Sequence, residues 1–282
     1  MSSRRKNRSR VMRVGIPAIA AAAVGASVWG FTAANATSAS VELPPVNAGF
    51  DYQIGEAYTP PSGVKVVSRD NADAPAKGLY NICYINAFQS QPDHEGDWKG
   101  LLLEGKDGSP AEDPDWPGEY ALDITTPAKR TAIADKIDAV IDTCASKGFN
   151  AIEPDNYDSY TRFDGLTADE AKAYMTLLVQ HAHEKNLAIA QKNTAELAPD
   201  AKSLGIDFAV TEECGMSWGD EGGPECSQYE KAFGDHVLDV EYSDEGFKAA
   251  CDGWSGKFSV VKRDEDVSAP GSDAYVRETC SS

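Results

Sequence analysis

The segment Gly148-Phe149-Asn150-Ala151-Ile152-Glu153-Pro154-Asp155-Asn156-Tyr157-Asp158 runs a short apolar stretch into a cluster of acids and amides. A second apolar run, residues 208–211, leads into Thr211-Glu212-Glu213-Cys214. Asp155 and Glu212 are 57 residues apart, and carboxylates paired this way suit chemistry on a glycosidic bond. One attacks the sugar or activates water, and the other protonates the departing oxygen. Other apolar runs end in Tyr84-Ile85-Asn86, Gln191-Lys192-Asn193, Glu241-Tyr242 and Lys262-Arg263-Asp264. Asn86, Glu153, Asn156, Lys192, Asn193, Glu213, Trp218, Glu241 and Tyr242 are therefore the candidate substrate contacts. Lys192 would lower the pKa of a neighbouring carboxylate. Trp218 and Tyr242 would stack on sugar faces or on an ammonium group.

Each feature also has a plainer account. Acids after a strand cap the next helix, aromatics pack, and a lysine at a strand end forms a structural ion pair. Glu153, Asp155, Asn156 and Glu241 would also offer the oxygen ligands that a hard cation wants. No ligand-loop spacing accompanies them, so neither a metal nor a cofactor is expected. His181 and His183 lie two apart on a helical segment, hence on different faces, and are read as surface or partly packed. Carboxylates or amides at the ends of so many apolar runs exceed what solvation of a turn requires.

Those runs are the strands that must position the groups. Candidates cover residues 64–68, 81–87, 121–124, 149–153, 188–191, 208–211, 237–241 and 258–261, with 51–54 as a possible ninth. Helical stretches separate them. Thr126-Pro127 opens one with a cap and an N1 proline, its apolar face is Ile133, Ile137, Val140 and Ile141, and Gly148 stops it. Thr167-Ala168-Asp169-Glu170 is a capping box for the next, with Tyr174, Leu177, Leu178 and His181 on one stripe. Shorter helices are expected over residues 195–204 and 244–251. Eight strands alternating with helices predict a single-domain α/β fold, the (β/α)8 TIM barrel, in which functional groups sit at the carboxyl ends of the strands. A doubly wound open sheet is the alternative, but no glycine-rich phosphate loop follows any strand.

The first 36 residues read as an export signal. Arg4, Arg5, Lys6, Arg8, Arg10 and Arg13 precede an apolar stretch that ends before Ala34-Asn35-Ala36, a small-x-small cleavage site. The alternative is an uncleaved anchor, although the Ala- and Gly-rich core is weakly apolar for a spanning helix. Residues 37–45 would be a short tether and 46–282 the barrel. A secreted, extracellular protein without stable membrane insertion is expected, acting as a monomer. The whole chain has 26 basic and 45 acidic side chains, a net charge of −19. Removing the signal leaves 20 cations against 45 acids, or −25. Such a field repels nucleic acid and favours cationic ligands, and it also keeps a protein soluble. Cys83, Cys144, Cys214, Cys226, Cys251 and Cys280 suggest three disulfides, with fifteen possible connectivities. The short Cys214–Cys226 and Cys251–Cys280 loops are the natural local pairs, leaving Cys83 with Cys144.

Five motifs occur in order along the chain: Asn81-Ile-Cys-Tyr-Ile-Asn-Ala, Lys147-Gly-Phe-Asn-Ala-Ile-Glu-Pro-Asp-Asn, Gln191-Lys-Asn, Asp207-Phe-Ala-Val-Thr-Glu-Glu-Cys and Val240-Glu-Tyr. Together they resemble glycoside hydrolase family 114, the endo-α-1,4-polygalactosaminidases. The resemblance implies a (β/α)8 barrel that cleaves polymers containing α-1,4-linked galactosamine. It places the nucleophile or base at Asp155 and the acid at the glutamate of the fourth motif. Family members often carry Glu-Gln before that cysteine where this chain has Glu212-Glu213, and matching positions favours Glu212. Deacetylated galactosamine is an ammonium sugar, so the resemblance gives the acidity a use: a polysaccharide substrate that is itself cationic. Two other readings remain, a barrel that binds such a glycan without cutting it and a carboxylate-metal hydrolase.

Overall fold

A computed structural model describes residues 41–216 and 224–280. The expected signal and Trp218 lie outside the described residues. Eight parallel strands follow one another in chain order: β1 (Gly49–Gln53), β2 (Val64–Asp70), β3 (Tyr80–Asn86), β4 (Ala151–Asp155), β5 (Ala188–Lys192), β6 (Phe208–Glu212), β7 (Val237–Glu241) and β8 (Ser259–Arg263). Neighbouring strands are hydrogen-bonded all the way from β1 to β8. The sheet is a nearly closed barrel, and an antiparallel β9 (Arg277–Thr279) pairs with the upper half of β8. Side chains bridge the seam back to β1. Ala48 N–H donates to Ser259 Oγ at 2.9 Å, and Arg277 donates to Asp51 Oδ1 and to the Phe50 carbonyl at 3.0 Å each.

Alternation along the strands explains the layers. Phe50, Val66, Ile82, Ala151, Ala190, Phe208, Val210, Leu238, Val240 and Val261 fill the barrel interior. The opposite face of β3, β4 and β5 packs on α1 (Pro127–Lys147) and α3 (Ala168–Glu184) through Ile85, Ile152 and Ile189. Thr126 and Thr167 cap those two helices, accepting from the Lys129 and Glu170 amides. Gly148 ends α1 at φ +91°, a left-handed position that suits glycine. Short helices α2 (Ser159–Arg162), α4 (Ala201–Leu204), α5 (Cys226–Phe233) and α6 (Asp244–Trp254) complete the outer layer. Disulfides join Cys83 to Cys144, Cys214 to Cys226 and Cys251 to Cys280, the pairing expected from loop length.

Two expectations change. Residues 121–124 are not a barrel strand. Ala121 and Leu122 make isolated antiparallel bridges to Gln89 and Leu102, inside a long excursion between β3 and α1. The first barrel strand is instead Gly49–Gln53, overlapping the possible ninth candidate. Residues 41–45 also have contacts: Val41 and Leu43 pack on the interior cluster, and the Glu42 carbonyl accepts from Tyr80 Oη at 2.7 Å. No helix among the described residues is long and apolar enough to cross a membrane.

Candidate active site

Above the apolar plug, the inward positions become polar strand by strand. β1 supplies Tyr52, β2 Ser68, β3 Tyr84, β4 both Glu153 and Asp155, β5 Lys192 and β6 Glu212. The residues following β4, β5 and β6 (Asn156, Asn193 and Glu213) have φ of +64°, +49° and +56°. Each strand thus turns sharply just past its inward functional side chain. Asparagine tolerates this backbone well; for Glu213 it costs about 1 kcal/mol.

Lys192 is the centre of the cluster. Its side chain is only 2% exposed, and Nζ lies 3.1 Å from Asp155 Oδ1, 3.2 Å from Glu153 Oε1 and 3.3 Å from Glu212 Oε2. It also donates to Tyr52 Oη at 3.0 Å. Burial alone would discharge the ammonium, but Asp155, Glu212, Tyr52 and Glu153 outweigh it and hold the lysine pKa well above its usual value. Glu153 is fully buried and accepts from Tyr52 Oη at 2.8 Å and Ser68 Oγ at 2.6 Å. Burial pushes its carboxyl up, despite Lys192 and those hydroxyls.

Asp155 is poised differently. Burial raises its pKa, but the Lys192 charge, the Tyr84 hydroxyl and the Asn156 amide overcome that and hold it below the ordinary carboxylate range. Tyr84 Oη donates to Oδ2 at 2.6 Å, leaving the side chain about one-fifth exposed at the barrel mouth. Glu212 faces it across Lys192. Tyr242 Oη donates to Glu212 Oε1 at 2.6 Å and Asn193 Nδ2 to Oε2 at 3.0 Å, while Asn193 Oδ1 accepts from the Glu212 amide at 2.8 Å. Asn193 therefore fixes both backbone and side chain of Glu212. Asn86 and Asn156 form a ledge beside Asp155, with Asn156 Nδ2 donating to Asn86 Oδ1 at 3.0 Å.

The structure thus brings together Asp155, Glu212, Glu153, Lys192, Asn193 and Tyr242, with Asn86 and Asn156 adjoining. Glu213 is next to Glu212 but on the turn; burial, then the charges of Glu212 and Glu265, raise its pKa. Glu241 is placed elsewhere. Val240 points inward, so its neighbour points outward, where Glu241 Oε1 accepts from the Gly215 amide at 2.7 Å beneath Gly246 of α6. Glu241 is consequently separated from the other oxygen ligands that the sequence offers to a cation. The cationic position between the remaining carboxylates is filled by the Lys192 ammonium itself. Tyr52, Ser68, Tyr84 and Glu119 belong to the site but were not expected there. Glu119 comes from the β3–α1 excursion and accepts from Asn86 Nδ2 at 2.9 Å.

The fold is similar to that of Aspergillus fumigatus Ega3 in complex with galactosamine, with a TM-score of 0.65 and 23% identity over 85% of this chain and 98% of that one. It is also similar to the glycoside hydrolase domain of PelA from Pseudomonas aeruginosa, with a TM-score of 0.54 and 16% identity over 79% and 96% of the two chains. Likeness at these identities speaks for the fold. A stretch of 135 residues is 30% identical to an uncharacterized protein of Deinococcus radiodurans, covering 45% of this chain and 41% of that protein. The chain therefore spans less than half the length of that relative. Across residues 30–282, which include every strand of the barrel and both carboxylates at its mouth, the sequence matches one family throughout, and the chain belongs to glycoside-hydrolase family GH114.

Proposed function

We propose that this chain is a secreted, endo-acting hydrolase of α-1,4-linked galactosamine-containing polysaccharide, with Asp155 as nucleophile and Glu212 as proton donor. The observation that carries the reading is the placement of Asp155 and Glu212 on either side of one buried ammonium, 3.1 and 3.3 Å from it. Asp155, kept ionised by Lys192 and Tyr84, attacks the anomeric carbon while Glu212 gives its proton to the departing glycosidic oxygen. The Asp155 charge disappears as the ester forms. Glu212, now a carboxylate beside Lys192, takes a proton from water, which attacks the same carbon and releases Asp155. Retention is the stereochemical course of this proposal because Asp155, at the carboxyl end of its strand, occupies the place of a nucleophile in a barrel glycosidase.

The likeness to Ega3, which was solved in complex with galactosamine, the family and the acidity support the substrate class. Export is supported by the basic and apolar leader and by three disulfides, which persist in oxidising compartments. Every residue of the cluster comes from one chain, so a monomer suffices. Release of reducing ends from a panel of acetylated and deacetylated galactosamine and glucosamine polymers tests the reading. Cleavage confined to galactosamine polymers is expected. Cleavage of glucosamine polymers alone, or of none, contradicts it.

A further inference from the structure

The excursion between β3 and α1 carries a turn, Trp116-Pro117-Gly118-Glu119, closed by the Glu119 amide donating to the Trp116 carbonyl at 3.0 Å. Gly118 takes φ +91° at its corner. Trp116 is 61% exposed, the one aromatic this exposed among the described residues. The turn is anchored on two sides. Asp113 is buried and accepts from Gln89 Nε2 at 2.8 Å, Arg162 Nε at 3.2 Å and the Asp115 amide at 3.0 Å. Arg162 also donates to Asn156 Oδ1 at 2.7 Å. On the other side Glu119 is held by Asn86, which is in turn held by Asn156. Both anchors end on the residue that follows Asp155. An exposed indole is thus held on a braced arm rooted beside the candidate nucleophile.

From this geometry we infer that Trp116 is a stacking platform for an amino-sugar unit of the polymer, outside the two units joined by the bond being cut. The inference rests on the glycosidase reading of the site. An indole face binds the C–H face of a pyranose and attracts an ammonium group. Glu112 and Asp115 are exposed on the same tip, and Glu119 is half-buried there, so the surroundings are anionic as well. A neutral apolar partner would have to bury these carboxylates unpaired, whereas a cationic glycan neutralises them. The hydrogen bonds through Asn86, Asn156 and Arg162 tie the arm that carries the platform to the barrel mouth.

The test is a comparison of wild type, Trp116→Ala and Trp116→Tyr on deacetylated α-1,4-galactosamine polymer and on the shortest oligosaccharide that the wild type cleaves. Trp116→Ala should raise apparent KM for the polymer about tenfold, the loss of one aromatic–sugar contact, with a smaller change for the oligosaccharide. Trp116→Tyr should recover most of the loss, and the Tm of all three should agree because the side chain is exposed. Equal polymer KM for wild type and Trp116→Ala, with cleavage intact, overturns the platform alone. Self-association of the wild type that Trp116→Ala abolishes, at unchanged polymer KM, assigns the indole to a second copy and also overturns it. A wild type that neither binds nor cleaves the polymer overturns the reading of the site and the platform with it.

Discussion

Lys192 links the two carboxylates at the mouth, each of which also accepts from a tyrosine. Asp155 is bonded to the ammonium and to the Tyr84 phenol, a setting that favours its anion, and Glu212 is bonded to the Tyr242 phenol and the Asn193 amide. Because Asp155 lies below the ordinary carboxylate range, it remains ionised at pH values where a free aspartate would take up a proton. Removing a donor must raise that pKa, so Tyr84→Phe should move the acid limb of kcat/KM to higher pH. An unchanged limb in a well-folded Tyr84→Phe would separate Asp155 from the step that the limb reports. The motif order left Glu212 and Glu213 adjacent and chemically alike. Their backbones distinguish them: Glu212 is the last residue of β6 and points to Lys192, and Glu213 is the left-handed turn residue. Glu213→Gln should retain activity to within about tenfold, a small loss beside the typical contribution of a general acid; kcat on polymer is the readout. Tyr52, Tyr84 and Ser68 were not legible because they meet Glu153, Asp155 and Lys192 across 71 to 140 residues of chain, through a register no single motif reveals.

At the scale of elements, the strands were legible where apolar runs end in acids, and ambiguous where a run serves another purpose. Residues 121–124 alternate like a strand but pair locally with Gln89 and Leu102. Glu241 was misplaced for a related reason. Val237, Leu238 and Val240 are apolar on both faces of β7, so the sequence does not show which face Glu241 occupies. Outward, it adjoins Asp239, and Glu241 Oε2 and Asp239 Oδ2 are both buried without an ordinary partner. One proton held between them satisfies both. Burial, then the charge of Asp239, pushes Glu241 up to about 9, and burial also raises Asp239. The sign follows from linkage: the unfolded chain loses this proton in the ordinary carboxylate range while the folded one keeps it. The pair's contribution to stability is therefore greatest at acid pH and falls as pH rises towards about 9. Glu241→Gln keeps an acceptor for Gly215 and gives Asp239 a permanent donor. Its urea midpoint should exceed that of wild type increasingly from pH 5 to pH 9. Parallel pH profiles for the two proteins would show that the pair does not share a proton.

For the molecule as a whole, the sequence carries the fold class, seven of the eight barrel strands and the net charge, and the ordered motifs carry the family. It does not show the long β3–α1 excursion as a wall of the site, because Glu119, Asp113 and Trp116 lie in a polar, proline- and glycine-bearing stretch without period. Acidity acts at this scale too. If the surface field recruits a cationic polymer, apparent KM for deacetylated substrate should rise steeply with salt and hardly change for the acetylated polymer. The reach of surface charges shrinks from ~10 Å at 0.1 M ionic strength to ~3 Å at 1 M. Contacts within the cleft are desolvated by the bound sugar, so kcat should change little. Equal salt dependence for both polymers would leave the charge to solubility alone.

The most direct measurement is reducing-end release from deacetylated α-1,4-galactosamine polymer by wild type, Asp155→Asn and Glu212→Gln, assayed side by side at equal folded concentration. Each substitution keeps size and a hydrogen-bonding amide while removing the carboxylate's nucleophilicity or its proton transfer. The carboxylate-pair mechanism requires release by the wild type and a loss of several orders of magnitude in both variants. Substantial release by either variant, or none by the wild type, would contradict it.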